Sequence, residues 1–341
     1  MKVDISVPEG ADAAEAAAGL DTGGPDRLWL GETGHDVFLQ SLRALQATSR
    51  LEVGTSIAVA FARNPMNTAY VANDLSCWSG GRFSLGLGTQ IKAHIERRFG
   101  MPWSRPAARM EEYVRALRAI WHSWRTGERL EFRGEFYQHT LMTPMFTPPR
   151  IAATDPEIFL AAVGPRMTEV AGRVADGIIT HAFSTERYLR EVTVPRFAAA
   201  ARAAGRPPGA GQLSASVFVV AGDRGIDLAD LRQQTRARLA FYGSTPAYRD
   251  VLAVHGWGDL ADELTRLSRG DATDRWATMA ALVDDTVLST FAVCADTVPE
   301  AAREVGARFG ELADRVTLCV ASAGAGHLPR LVAGELQAAT G

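Results

Sequence analysis

The feature that most constrains this chain is a recurring rhythm: a short apolar run, a helical segment, then another apolar run, joined by short connections. The runs begin at Lys2, Arg27, Leu51, Phe83, Ile158, Gly177, Gln212 and Arg315. Strands that alternate with helices pair in parallel. Val3, Ile5 and Val7 set the strand period at the start, and Ala11–Leu20 reads as a helix stopped by Gly23-Gly24-Pro25. Asp36–Gln46 carries Phe38, Leu39, Leu42 and Leu45 at helical spacing. Ser104–Trp124 is the clearest helix: Met110, Tyr113, Val114, Leu117, Ile120, Trp121 and Trp124 share one face, and Glu111, Glu112, Arg115 and Arg118 the other. Eight strands with intervening helices predict a closed (β/α)8 TIM-like barrel, in preference to an open doubly wound sheet. A chain of 341 residues accommodates one such barrel as a single domain over 1–341. The excess goes into loops, a hairpin or loop excursion across Leu130–Tyr137 and Thr143–Pro149, and a helical insertion over about 227–290.

Several function classes fall away. The net charge of -3 offers no basic excess for a nucleic-acid backbone, so no nucleic-acid partner is expected. Cys77, Cys294 and Cys319 are far apart and form no C-x-x-C pair, which argues against a disulfide framework or structural zinc and for a reducing, cytoplasmic location. No stretch is long and apolar enough for a membrane span, and the start, with Asp4 and Glu9, has no apolar core of a signal peptide. The P-loop, H-E-x-x-H and G-x-S-x-G patterns are absent, and Gly86-Leu87-Gly88 is only a fragment of G-x-G-x-x-G. His35, His94, His122, His139, His181, His255 and His327 lack ligand spacing, so no metal is expected.

In a barrel, chemistry gathers at the C-terminal ends of the strands. After the second run come Glu32 and His35, an acid and an imidazole suited to acid–base work or to a polar heterocycle. The competing reading makes Asp36 a helix cap and His35 a solvated loop residue. After the third run, Ser56, Ile57 and Ala58 sit among small residues that let a flat ligand approach the backbone, or that simply pack below a helix start at Pro65. Gly88 and Thr89 end the fourth run and suit a ligand wall. Ala161, Ala162, Val163, Gly164, Pro165 and Arg166 end the fifth. There the free N–H groups of a helix N-terminus, with Arg166 beside them, form an anion site or a plain helix start. Lys92, Arg97, Arg98, Arg105 and Arg109 make a locally basic stretch that could steer an anionic tail or be a solvated helix face.

These segments carry a family resemblance. Gly81-Arg82-Phe83-Ser84-Leu85-Gly86-Leu87-Gly88-Thr89, Arg109-Met110-Glu111-Glu112-Tyr113, and Ala161 to Met167 with Ala175-Asp176-Gly177 resemble the luciferase-like monooxygenase superfamily, in its branch dependent on the deazaflavin coenzyme F420. The resemblance implies a cofactor across the barrel mouth, a non-proline cis peptide at Ser56–Ile57 behind its central ring, Glu32 against the ring system, and Gly164-Pro165 at its phosphate. In sugar-phosphate-oxidising relatives a histidine directly follows the acid. Thr33 stands there in this chain, so no general base is expected at that point and His35 is only a nearby substitute. The implied activity is hydride transfer between F420 and a small organic substrate. The alternatives are an FMN-dependent monooxygenase and a non-catalytic flavin- or deazaflavin-binding protein. Family members often form dimers, so a homodimer is expected. The His181-Ala182-Phe183 strand end and the insertion with Trp257 and Trp276 are expected to shape the substrate pocket, or else to be core.

Overall fold

The computed structural model describes residues 1–6 and 12–339. Val7, Glu9 and Ala11 of the expectations above lie outside the described residues. Eight strands form the barrel: β1 (Lys2–Ser6), β2 (Arg27–Leu30), β3 (Glu52–Thr55), β4 (Phe83–Gly88), β5 (Glu157–Ala162), β6 (Gly177–Thr180), β7 (Gln212–Ala221) and β8 (Arg315–Cys319). Each pairs in parallel with its neighbours in chain order, and β8 pairs with β1, so the ring closes. The eight runs read from the sequence are these eight strands, and the fold is a closed (β/α)8 barrel of the TIM type.

Local chemistry explains where the helices begin. Asp12, Asp36, Asn64 and Asp227 each accept hydrogen bonds from first-turn amides of the helix that follows, satisfying donors that have no intrahelical partner. The reading of Asp36 as a cap is therefore correct. The chain between β4 and β5 holds the helix Pro106–Thr126, then a small hairpin pairing Phe132 with His139. The connection from β7 to β8 contains five helices from Leu228 to Phe291 and a short strand, Ala292–Ala295, that extends the sheet beside the end of β7.

The barrel floor is a layer of ions. Asp4 on β1 accepts two bonds from Arg315 on β8, at 2.7 and 2.8 Å, and a third from the indole N–H of Trp29 at 3.0 Å. Arg27 pairs with Glu52 (2.6 Å) and Glu157 (2.8 Å). Its Nε and Nη1 find no hydrogen-bond partner among the described residues, but its guanidinium lies over the rings of Trp29 and Phe159. Above this layer Trp29 and Phe159 meet edge to face and, with Ile179, fill the barrel. Glycines make the room: a Cβ on Gly54 would stand 2.3 Å from Trp29, and one on Gly177 2.3 Å from Phe159.

Removing one partner of a buried pair strands the other charge. Arg315→Met is expected to destabilise the fold by about 3–5 kcal/mol, whereas Lys2→Met, at an exposed pair, is expected to change stability by less than about 1 kcal/mol. Urea unfolding followed by circular dichroism measures both.

Candidate active site at the barrel mouth

The C-terminal end of β2 is tied to β3 by one carboxylate. Glu32 accepts from the Val59 amide (2.7 Å) and from both terminal nitrogens of Arg63 (2.7 and 2.6 Å). Arg63 also binds Asp36 at 2.9 Å and lies over the ring of Phe38. Both Glu32 oxygens are thus occupied, and the residue acts here as a clamp. What it clamps is the segment after the Ser56–Ile57 bond, which is cis. Five residues of this segment, from Gly54 to Ala58, run beside four on β4, from Ser84 to Leu87, so the strand bulges at the cis bond. The run that begins at Leu51 is therefore interrupted here, with β3 ending at Thr55 and pairing resuming at Ala58. Ser56 and Ile57 are half-buried and reach the mouth, whereas Ala58 is wholly buried and paired with Leu87. Ala58 therefore presents no atom to a ligand, contrary to its assignment from the sequence.

The glycines of β4 answer to this bulge. A Cβ on Gly86 would fall 1.8 Å from the Thr55 carbonyl oxygen, and one on Gly88 2.7 Å from the Ile57 side chain. Gly88 itself is buried, so its immediate role is to seat Ile57. Thr89 is half-buried, and its hydroxyl donates to the Gln90 carbonyl at 2.9 Å. Gln90 has φ of 60°, a left-handed conformation uncommon outside glycine, at the lip of the barrel.

At the end of β5, Ala161 and Val163 are half-buried, Ala162 is buried, and Gly164 caps the helix Pro165–Val174 without any side-chain cap. The amides of Arg166 and Met167 lie in the first turn, before the ladder begins with Thr168 donating to Gly164. A Cβ on Gly164 would meet open space, and Arg166 is exposed with no ion pair among the described residues. This end of the site therefore has room, free donors and a positive charge.

The strand end after β6, expected to shape the pocket, is more elaborate than its three residues suggest. His181 follows Thr180 directly, and its Nδ1 accepts from the Phe183 amide at 2.9 Å. Its ring stands against Tyr242 (centroids 4.4 Å, near perpendicular) and Tyr248 (5.0 Å). Burial pushes the imidazole pKa down to about 4 and the Tyr248 phenol up to about 12. Phe183 stacks on Phe291 and touches both tyrosines, which builds an aromatic wall from the β7–β8 connection. A histidine at a strand end was legible. That Tyr242 and Tyr248, more than sixty residues downstream, return to it was not. Trp257 joins the rim by stacking on His255, while Trp276 is exposed beside Phe241.

Other expected residues are not brought together. His35 is exposed and shares no hydrogen bond with Glu32. The basic stretch disperses: Arg109 is buried on the Tyr137 hydroxyl and over Phe61, Arg105 pairs with Glu135, Lys92 with Glu96, and Arg98 donates to the Thr33 carbonyl. Among the described residues no group of three or more His, Cys, Asp or Glu could hold a metal, and no helix is long and apolar enough to cross a membrane.

Two glycine substitutions separate packing from binding. Gly88→Ala is expected to displace Ile57 and cost about 1–3 kcal/mol. Gly164→Ala, at a φ of -81° and facing open space, is expected to leave stability within about 0.5 kcal/mol. Thermal unfolding of both variants checks this.

Comparison with known proteins agrees with this architecture. The luciferase-like monooxygenase family model matches residues 3–315. An uncharacterized protein of Mycobacterium tuberculosis is 50% identical over 319 residues, covering 93% of this chain and 92% of the relative. Among solved structures, the coenzyme F420-dependent tetrahydromethanopterin reductase from Methanopyrus kandleri superposes with a TM-score of 0.77 at 19% identity, covering 99% of each chain. An F420-dependent secondary alcohol dehydrogenase, in complex with an F420–acetone adduct, gives 0.73 at 19% identity over 99% of this chain and 98% of the other. Carried by a family match over most of its length, the chain belongs to the luciferase-like monooxygenase family and is an oxidoreductase of that fold.

Proposed function

We propose that this protein transfers a hydride between coenzyme F420 and a small organic substrate held at the mouth of the barrel. The observation that carries the reading is the clamp of Glu32 and Arg63 on the Val59 segment, which sets the Ser56–Ile57 bulge at one side of the mouth. The uncapped helix end at Gly164 supplies the second requirement, a place for a phosphate. The F420 dependence of the two structural neighbours favours the deazaflavin over FMN.

When bound, the deazaflavin supplies the hydride chemistry at its C5 carbon. The chain's own contribution is orientation. Ser56 and Ile57 would support the ring from behind, held by the Glu32–Val59 bond. The Arg166 and Met167 amides and the Arg166 guanidinium would take the phosphate. Fixing ring and substrate in one geometry removes much of the entropy cost of their encounter. Glu32 does not serve as the base in this reading, because its oxygens are already committed to Arg63 and Val59.

Equilibrium titration with F420 and FMN side by side tests the proposal. F420 is expected to bind at least about tenfold more tightly, and Arg166→Ala to weaken it by about tenfold through loss of a charge-assisted contact. Tighter binding of FMN would replace the reading with a flavin one. F420 binding without reduction or oxidation of any compound in a substrate panel would reduce the protein to a carrier.

A further inference from the structure

We propose that His181 is the substrate-oxygen site, a fixed hydrogen-bond donor that selects an apolar carbonyl compound, a ketone or aldehyde, for reduction. This rests on the hydride-transfer reading above. The tautomer follows from geometry. A backbone N–H donates to Nδ1, so Nδ1 carries no proton and the proton of the neutral ring sits on Nε2. Nε2–H has no hydrogen-bond partner among the described residues. The residue is half-buried and Nε2 is not among the buried atoms left without a partner, so this donor is open at the wall to the acceptor of a ligand that displaces water.

The surroundings decide what kind of ligand. Tyr242, Tyr248 and Phe183 wall the imidazole, and Phe291 backs Phe183. Among the described residues no Lys or Arg forms a hydrogen bond or cation–ring contact with His181, and Arg249, next to Tyr248, turns to Asp262 instead. A sugar phosphate or carboxylate would find no cation to pair with at this wall. A neutral carbonyl with an apolar body fits both the rings and the Nε2–H donor.

The same geometry sets the role of His181 at the oxygen. Nε2–H can donate but cannot accept, so it cannot take a proton from an alcohol. In the reduction, hydride from reduced 5-deazaflavin forms the new C–H bond at the carbonyl carbon. The C=O π pair moves to oxygen, where the Nε2–H bond stabilises the developing negative charge. A water molecule delivers the proton that completes the alcohol, and the deazaflavin is left oxidised by two electrons. His181 keeps its own proton throughout.

The test compares wild type with His181→Phe, which keeps a ring against the tyrosines and removes the donor, and His181→Gln, whose amide restores a donor. Acetophenone and ethylbenzene, matched in shape but differing in the oxygen, are titrated calorimetrically into each protein with and without F420. In wild type acetophenone is expected to bind about tenfold more tightly than ethylbenzene. H181F should abolish that preference and H181Q restore most of it. With reduced F420, H181F should lower kcat for acetophenone more than it raises KM. The proposal is overturned if folded H181F, verified by circular dichroism, keeps the oxygen preference, or if wild type shows none. If F420 fails to bind but the oxygen preference follows the donor, the carbonyl site stands and the cofactor reading falls. If F420 binds and the preference is absent, only the carbonyl site falls.

Discussion

The interaction on which the rest depends is the buried pair of Asp4 and Arg315. It joins the first strand to the last, 311 residues apart, and so bridges the seam where the sheet becomes a barrel. A pair of this kind gains little over an apolar replacement, because both ions have left water. Its value is register. A bidentate guanidinium–carboxylate contact fits one offset between β1 and β8, and the Trp29 indole adds β2 to the same carboxylate. A one-residue slip would turn Asp4 out and Val3 and Ile5 in, and would leave an arginine buried alone.

Above that floor, large and small residues alternate between neighbouring strands. Trp29 covers Gly54, Phe159 covers Gly177, and the Thr55 carbonyl occupies the space beside Gly86. Rings thus fill the lower barrel. Higher up the rule changes from filling to fastening. Gly88 admits Ile57, and Glu32 holds the segment through the Val59 amide. The glycines of Gly86-Leu87-Gly88 are thus explained by the close approach of β3, without reference to any dinucleotide motif.

How much of this was legible follows from which interactions are local. Strand order and count came through because a parallel barrel repeats one local pattern, an apolar run and then a helix with a cap such as Asp36 or Asn64. The cis bond was anticipated through family resemblance, since nothing in the residues Ser56 and Ile57 themselves requires it. Ala58 and Arg109 were misplaced for one reason: side-chain type says nothing about which way a residue turns at a strand end or on a helix. Arg109 is basic yet inside, held by Tyr137 and Phe61. The histidine–tyrosine wall escaped notice because it depends on how a long connection folds back, a contact with no sequence period to announce it.

The division of labour at the mouth follows the chain. The clamp comes from β2 and β3, the glycine seat from β4, and the open helix end from β5. These are short connections, in which a change of one residue disturbs the barrel itself. The wall around His181 comes from the β7–β8 connection, whose helices can vary without breaking the ring. If, as proposed, the cofactor sits on the strand ends and the substrate against the wall, the two can change independently. On the proposed reading Thr33 leaves the clamp without an imidazole, and the strand-end imidazole at His181 would serve on the wall as a hydrogen-bond donor, a role that needs no proton to be taken up.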